Sequence, residues 1–203
     1  MAAPLDLRPV GPRAVRAEVA GTRDALALAA WARHARVPAV EIVPAATTVL
    51  FDGVSDVEAL RDLLAGWAGG EVTPQAEGDL VEIPTVYDGP DLAEVAARWS
   101  MSVDEAVARH GETEFVAAFC GFSPGFSYLA GLPRDLAVPR RTTPRTHCGP
   151  GAVALADGWC GIYPTDSPGG WQLIGRTDAR LWDAGRDAPA LLPPGTRVRF
   201  VAR

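Results

Sequence analysis

The feature that most constrains the fold is a change in hydrophobic pattern at Phe115. Beyond this residue helical periodicity is absent, and short apolar runs alternate with turns rich in glycine and proline. Short, closely spaced strands of this kind are typical of small closed β-barrels. The candidate strands lie at 115–119, 153–155, 161–163, 171–174 and 197–201. The C-terminal half is therefore predicted to form a closed or nearly closed barrel.

Residues 7–67 have a different pattern, which predicts two short strands, a helix, two strands and a second helix. The first helix is expected to start at an N-cap on Thr22, and the second at a capping box formed by Ser55 and Glu58. A polar stretch at 69–77 is interpreted as a linker. We predict an α+β protein with a small α/β domain at 1–78 and a barrel domain at 79–203.

Two capped helix starts, at Asp91 and Ser102, precede the barrel strands. They predict a helix pair at 92–99 and 103–110 that Gly111 closes. On its own this pair resembles a helix-turn-helix or LysM-type hairpin. Because the pair is acidic and has no basic recognition face, we interpret it as a helical insertion that covers a sheet.

Composition excludes several kinds of chemistry. All nineteen basic residues are arginine, so a Schiff-base lysine, a Walker lysine and a biotinyl or lipoyl lysine are excluded. Three cysteines without a CxxC pair argue against a disulfide framework or a zinc knuckle, and three scattered histidines predict no metal site. With no signal-peptide pattern and no membrane-length apolar run, a cytoplasmic location is expected.

Charge is distributed unevenly along the chain. Residues 1–114 hold nine Arg against nineteen acidic residues, whereas residues 115–203 hold ten Arg against six. The C-terminal part is thus the one suited to an anionic ligand or an acidic partner. A net-acidic chain without lysine is a poor candidate for nucleic-acid binding.

Three segments of the C-terminal half are candidates for chemistry. The loop at 121–133 interleaves aromatic residues with glycines, which suits a pocket wall or, equally, a packed barrel corner. The segment at 139–145, preceded by Arg134, presents arginines that suit a carboxylate or phosphate; the alternatives are a solvated loop or a clamp on the acidic N-terminal unit. The segment at 164–171 offers Ser167 and glycine N–H groups to an oxyanion.

Histidines and cysteines are assigned mostly structural roles. His34 and His110 lie near predicted helix ends, where a cationic side chain favours the dipole. His147 lies in the arginine-rich region, and a triad with Ser167 and an acid remains a weak hypothesis. The three cysteines, Cys120, Cys148 and Cys160, are expected to pack as small apolar groups.

These three segments, in this order, resemble the family of the 5-oxoprolinase B subunit, also described as allophanate hydrolase subunit 1 and KipI-type protein. The stretches are FVAAFCGFSPGFSYLAGLP, LAVPRRTTPRTHCGPGAVALA and GIYPTDSPGGWQLIGRTDARLWD. They are also similar to one half of the carboxyltransferase region of urea carboxylase. The resemblance implies a ferredoxin-like unit followed by a cyclophilin-like barrel.

The resemblance also implies a function and a set of site residues. The family hydrolyses 5-oxo-L-proline to L-glutamate with ATP, together with the C and A subunits of 5-oxoprolinase. ATP is bound by this chain or elsewhere in the complex. Catalytic roles are expected for Arg145, Ser167 and Arg176. The expected substrate-binding residues are Phe122, Pro124, Gly125, Phe126, Tyr128, Arg140, Arg141, His147, Gly169, Gly170 and Trp171.

Alternatives stay open at this stage. KipI-type relatives inhibit a sensor histidine kinase, a related urea or allophanate enzyme is a second option, and peptidyl-prolyl isomerisation is a weaker one that rests on fold alone. The chain departs from the family pattern at His147-Cys148 and at Trp159-Cys160. If those positions contact substrate, specificity differs here.

Overall fold

The computed structural model describes residues 5–67, 69 and 79–203. Apart from Gly69, the predicted linker lies outside the described residues. The chain divides into two compact units, Met1–Glu77 and Gly78–Arg203. Within the described part of the chain, no helix is both long and apolar enough to cross a bilayer.

The first unit is a four-stranded antiparallel sheet with two helices. Its strands have the order β1-β2-β4-β3. The elements are β1 (Asp6–Gly11), β2 (Ala14–Glu18), α1 (Thr22–His34), β3 (Glu41–Pro44), β4 (Thr48–Asp52) and α2 (Val57–Ala65). This is the element order that the sequence predicts.

Alternation along the two central strands builds the core of this unit. Val15 and Ala17 of β2, and Val49 and Phe51 of β4, are fully buried, whereas their neighbours in sequence are not. Side chains in a strand alternate between the two faces of a sheet, so these four residues share one face. Leu28 of α1, together with Leu60 and Leu64 of α2, packs in the same cluster.

Both predicted caps in the first unit are wrong. Gly21 occupies the N-cap of α1, and the Thr22 hydroxyl donates to the carbonyl of Ala46 instead. At α2 the cap is Asp56, whose carboxylate accepts from the N–H groups of Glu58 and Ala59. The competing acceptor lies one residue beyond the predicted serine.

The second unit is a barrel with a helical insertion. Its early elements are β5 (Leu80–Thr85), α3 (Leu92–Arg98), α4 (Val103–Glu112), β6 (Phe115–Cys120) and β7 (Ser127–Ala130). They are followed by β8 (Arg145–Cys148), β9 (Ala152–Ala156), β10 (Trp159–Ile162), β11 (Ser167–Gly169), β12 (Gln172–Arg176) and β13 (Arg197–Ala202). A short 3-10 helix spans Arg134–Leu136. The sequence pattern does not predict the strands β7, β8 and β11.

Seven strands form the barrel sheet, in the order β12-β9-β10-β7-β6-β13-β5. Just beyond β5, Val86 exchanges both backbone hydrogen bonds with Arg176 of β12, at N···O distances of 2.9 and 2.8 Å. This pair joins the two edge strands, so the sheet closes on itself. The remaining strands, β8 and β11, form a two-stranded ribbon.

The helices α3 and α4 cover the barrel core, which confirms the predicted insertion. Val95 and Ala106 belong to the same cluster as barrel residues, and the Trp99 indole N–H donates to the carbonyl of Leu136 at 2.8 Å. The capping box of Ser102 and Glu105 is present as predicted. However, α4 runs through Gly111 and ends at Glu112.

Two side-chain predictions in this unit are corrected. His110 is 1% exposed, and burial lowers its pKa to about 3, so it is neutral and does not act as a cation at the helix end. Cys120 is exposed, unlike Cys148 and Cys160, which are buried as expected. Strand β6 leaves the core at its last residue, so Cys120 is exposed. The apolar run that ends at residue 119 gives no sign of this change.

Candidate functional site

Alternation within four neighbouring strands produces a concave site on the outside of the barrel. Val153 and Leu155 of β9 point into the core, whereas Ala152, Ala154 and Ala156 face a second cluster that contains Phe126, Tyr163 and Trp171. Small alanines on the outer face leave room for these rings. The barrel wall thereby becomes the floor of a site.

We call this site the aromatic cup. It is a cavity of about 240 Å³. Its lining residues are Phe122, Phe126, Tyr128, Arg140, Ala156, Asp157, Trp159, Tyr163, Pro168, Gly169 and Trp171. Six of the predicted substrate-binding residues are among them: Phe122, Phe126, Tyr128, Arg140, Gly169 and Trp171.

The rings of the cup hold one another edge to face. The ring centroids of Phe126 and Tyr128 are 5.1 Å apart, and they lie 5.5 and 5.6 Å, respectively, from that of Trp171. Such T-shaped pairs are favourable for aromatic quadrupoles. Gly161 permits this packing, because a Cβ there would lie 2.8 Å from Phe126 Cζ and 3.1 Å from Trp171 Cζ3.

Two residues at the cup have backbone conformations that are uncommon for side-chain-bearing residues. Phe122 has φ 69° and Asp157 has φ 52°. Phe122 nevertheless presents 59% of its surface to solvent. Strained backbone and exposed aromatic surface cost free energy and tend to occur at binding sites. This pairing favours a ligand-binding role for the rim of the cup.

Arg140 supplies the positive charge of the cup. Among residues 5–67, 69 and 79–203, no carboxylate oxygen lies within 4 Å of its guanidinium nitrogens. Tyr163 adds a hydroxyl, and burial raises its pKa to about 12, so it stays protonated at neutral pH and can donate a hydrogen bond. Asp157 adds a carboxylate at the rim. The cup therefore combines apolar ring surface with one available guanidinium.

The other two arginines of the segment are engaged elsewhere. Arg141 and Arg145 both donate to the carboxylate of Asp91, at 3.0 and 2.7 Å. The alternative that the sequence leaves open, a clamp on the acidic N-terminal unit, is wrong for these two arginines, because Asp91 lies at the start of α3 in the barrel unit. Arg141 and Arg145 do not line the cup.

The ribbon of β8 and β11 carries the predicted His147 and Ser167. His147 Nδ1 lies 2.8 Å from Asp166 Oδ1, and both side chains are more than half exposed. The Ser167 hydroxyl donates to the carbonyl of Thr165 at 3.1 Å. Across the described residues, no hydrogen bond joins Ser167 to His147, so the geometry does not assemble the hypothetical triad.

The remaining predicted residues lie around the cup. Gly170 accepts the N–H of Arg141 through its carbonyl at 2.7 Å. Pro124 lines a neighbouring, more open groove of about 660 Å³ that includes Trp182, and Gly125 packs against Trp182. Arg176 pairs with Asp88 at 2.8 Å where the barrel closes. Arg176 is not among the residues that line the cup.

Sequence reasoning missed several lining residues. In the sequence Trp159 stands out only as a departure from a family pattern, and in the structure it lines the cup. Tyr163 directly precedes the third candidate segment, and Asp157-Gly158 is a turn signal between two apolar runs. Extending the third segment by one residue would include Tyr163, and extending it by seven would include Asp157.

The fold and the cup define the class of protein. Residues 5–192 match the family described as carboxyltransferase domain, subdomain C and D, and the chain belongs to this family. It is similar to the B subunit of 5-oxoprolinase from Escherichia coli O157:H7, with 45% identity over 148 residues, 71% of this chain and 67% of that protein. It is 41% identical to the B subunit of 5-oxoprolinase from Haemophilus influenzae, over 76% of this chain and 74% of that protein.

Solved structures support the same architecture. The crystal structure of TTHA0988 is similar over 94% of this chain, with 35% identity and a TM-score of 0.78, and this chain spans 40% of that longer one. Kluyveromyces lactis urea carboxylase is similar over 98% of this chain, with 19% identity and a TM-score of 0.68, and here the chain spans 22%. The urea carboxylase likeness shows the fold alone.

Proposed function

We propose that this chain is the B subunit of an ATP-dependent 5-oxoprolinase that hydrolyses 5-oxo-L-proline to L-glutamate. The curated relatives named above, with 41% and 45% identity, support the proposal. The observation that carries it is Arg140, which faces the aromatic cup without a carboxylate partner among the described residues. Such a cup suits a small ring that bears one carboxylate.

The chemistry of 5-oxoproline matches the cup group by group. Its carboxylate pairs with the Arg140 guanidinium, and the flat five-membered lactam packs against Phe126, Tyr128 and Trp171. A cavity of about 240 Å³ falls below the range of about 300–1,000 Å³ typical of drug-sized ligands, which suits a small metabolite.

We expect the complex as a whole, rather than the cup alone, to supply the ATP-binding site and the other catalytic groups. A lactam is a stable amide. Phosphorylation of its carbonyl oxygen by ATP makes the carbonyl carbon more electrophilic, so that water can attack it. The chain has no lysine for a phosphate site. We therefore expect the A and C subunits to complete the site, in the cytoplasm, where ATP is available.

The test is ATP-dependent glutamate release by this chain co-expressed with the A and C subunits. Changing Arg140→Gln is expected to raise KM for 5-oxoproline at least about tenfold, because a charge-assisted hydrogen bond contributes about 1.5–3 kcal/mol. Arg134→Gln is the matched control, since Arg134 is an exposed arginine of the same region outside the cup. Its KM is expected to match the wild type.

Two results would contradict the proposal. If the wild-type complex releases no glutamate in the presence of ATP, the proposed function is wrong. If Arg140→Gln and Arg134→Gln have equal KM values, the cup is not the substrate site. The kinase-inhibitor alternative is not favoured by the relatives, which carry the oxoprolinase name.

A further inference from the structure

Asp91 is a buried acidic side chain that the proposed binding site does not use directly. Its side chain is 4% exposed, and its carboxylate accepts three hydrogen bonds. Oδ1 accepts from Arg141 and Arg145, and Oδ2 accepts from the backbone N–H of Leu173 at 2.7 Å. One carboxylate thus joins the arginine-rich segment to strand β12.

The local position of Asp91 makes this use of the carboxylate unusual. Asp91 occupies the N-cap of α3, where an aspartate ordinarily accepts from the next N–H groups of the helix. Its side chain makes no such capping bond. Instead, its own N–H donates to the carbonyl of Leu173 at 3.0 Å, so backbone and side chain both bind the same residue of β12.

The residues on either side of Arg140 both form hydrogen bonds that hold the backbone in place. The carbonyl of Pro139 accepts from the Gln172 side-chain amide at 3.1 Å. The N–H of Arg141 donates to the carbonyl of Gly170 at 2.7 Å, and its side chain reaches Asp91. The residues on both sides of Arg140 are therefore tied to the start of β12, beside Trp171 of the cup.

We propose that Asp91 is a positioning residue that holds Arg140 in place over the aromatic cup. For its effect on substrate, this inference rests on the proposed function. The physical reason is electrostatic. Arg141 and Arg145 converge on one point, and without the carboxylate two partly buried guanidinium groups would repel each other and move apart. The backbone of 139–145 would then no longer fix the Arg140 side chain.

Asp91→Asn is the direct test, because the amide keeps the shape of the side chain but loses its charge and at least one of three accepted bonds. Glu114→Gln is the matched control. Glu114 forms a two-bond ion pair with Arg197 in the same unit, at 2.8 and 2.7 Å, away from the cup. Each variant neutralises an acid that lies within 4 Å of two arginines, the buried Asp91 behind Arg140 and the more exposed Glu114 elsewhere.

The first readout is hydrogen exchange at the Arg141 amide, which does not depend on any activity. Asp91→Asn is expected to speed exchange at Arg141 by about tenfold or more, while the amides of β6 and β13 stay protected. Glu114→Gln is expected to leave Arg141 unchanged. Equal protection of Arg141 in both variants would overturn the inference.

The second readout is KM against kcat in the complex with the A and C subunits. Asp91→Asn is expected to raise KM for 5-oxoproline about tenfold with a much smaller change in kcat, because it weakens the Arg140 contact. In an Arg140→Gln background the same change is expected to add little. Additive effects on KM would show that Asp91 does not act through Arg140, and would overturn the inference.

Arg141→Gln covers the case in which Asp91→Asn does not fold. It leaves Asp91 bonded to Arg145 and Leu173, and the same faster exchange and higher KM are expected to a smaller degree. If the wild-type complex does not hydrolyse 5-oxoproline, the proposed function fails. The exchange measurement then still decides whether Asp91 holds the segment around Arg140.

Discussion

Among single residues, His110 shows most clearly how burial decides chemistry. Its Nδ1 lies 2.8 Å from the Tyr87 hydroxyl and its Nε2 lies 3.5 Å from Cys160 Sγ. Burial lowers the pKa of His110 to about 3 and raises the pKa of both Tyr87 and Cys160. All three groups are therefore neutral at physiological pH, so the cluster acts as a hydrogen-bonded part of the core.

His110 is expected to make stability depend on pH. The folded protein keeps His110 neutral, whereas the unfolded chain protonates this histidine below pH 6.5. The contribution of neutral His110 to the free energy of unfolding is therefore complete above pH 6.5 and declines as pH falls toward 3. The expected loss between pH 7.5 and 5 is about 2 kcal/mol. Urea unfolding at both pH values is expected to show this loss in wild type but not in His110→Gln.

The control for this prediction is His34→Gln, which changes an exposed histidine in the last turn of α1. It is expected to keep the pH dependence of the wild type. The same loss of stability in His110→Gln as in wild type would mean that other groups cause it.

The position of His110 in the sequence indicates a helix end but not burial. Its ring packs 4.6 Å from that of Phe200 and 5.2 Å from that of Phe115, measured between centroids. Phe200 lies ninety residues further along the chain. Because burial depends on this distant strand, local sequence could not reveal that the histidine is neutral.

At the scale of elements, the N-cap of α2 is the point where sequence and structure disagree most sharply. The sequence favours Ser55 as cap, whereas the carboxylate of Asp56 accepts from Glu58 and Ala59, both at 3.0 Å. We expect Asp56→Ala to lower the free energy of unfolding by about 1 kcal/mol, because two N–H groups lose their acceptor. Chemical denaturation of the first unit measures this effect.

Ser55→Ala provides the matched comparison for the cap. An exposed serine that caps nothing is expected to change stability by less than about 0.5 kcal/mol when its hydroxyl is removed. A larger loss of stability for Ser55→Ala than for Asp56→Ala would show that Ser55 is the N-cap, as the sequence predicts.

Elements with a clear apolar or capping pattern are predictable from the sequence, whereas the strands β8 and β11 are not. Strand β2 and the box at the start of α4 follow the prediction, because the sequence signal for each lies in residues that are adjacent along the chain. Strands β8 and β11 have four and three residues and contain Arg145 or Pro168, so they lack an apolar pattern. They become strands only by pairing with each other, which is a property of the fold.

At the scale of the whole molecule, the candidate site depends on the order of the strands in the barrel sheet. The cup collects residues from the 121–128 loop, the 156–163 hairpin and the 168–171 turn, which are separated in sequence. The sequence identifies 121–133, 139–145 and 164–171 as candidates, and Arg140 of the second segment also lines the cup. It could not show that the strands β12, β9, β10 and β7 are neighbours, or that Arg140 rather than Arg141 or Arg145 faces the rings.

Closure of the barrel depends on the backbone pair between Val86 and Arg176. Proline at position 86 has no N–H, so Val86→Pro removes the bond to the Arg176 carbonyl and leaves this acceptor without its partner. We expect a loss of about 1–3 kcal/mol in the free energy of unfolding. Hydrogen exchange is expected to become faster at Gly89 and Asp91, whose N–H groups bind the next carbonyls of β12.

The control is Val86→Ala, which shortens a half-buried side chain but keeps the N–H donor. It is expected to preserve slow exchange at Gly89 and Asp91, even if it costs some packing energy. Because the network around Asp91 begins at this seam, opening the barrel should also weaken substrate binding in the complex. Unchanged exchange at both amides in Val86→Pro would show that the barrel stays closed without this pair.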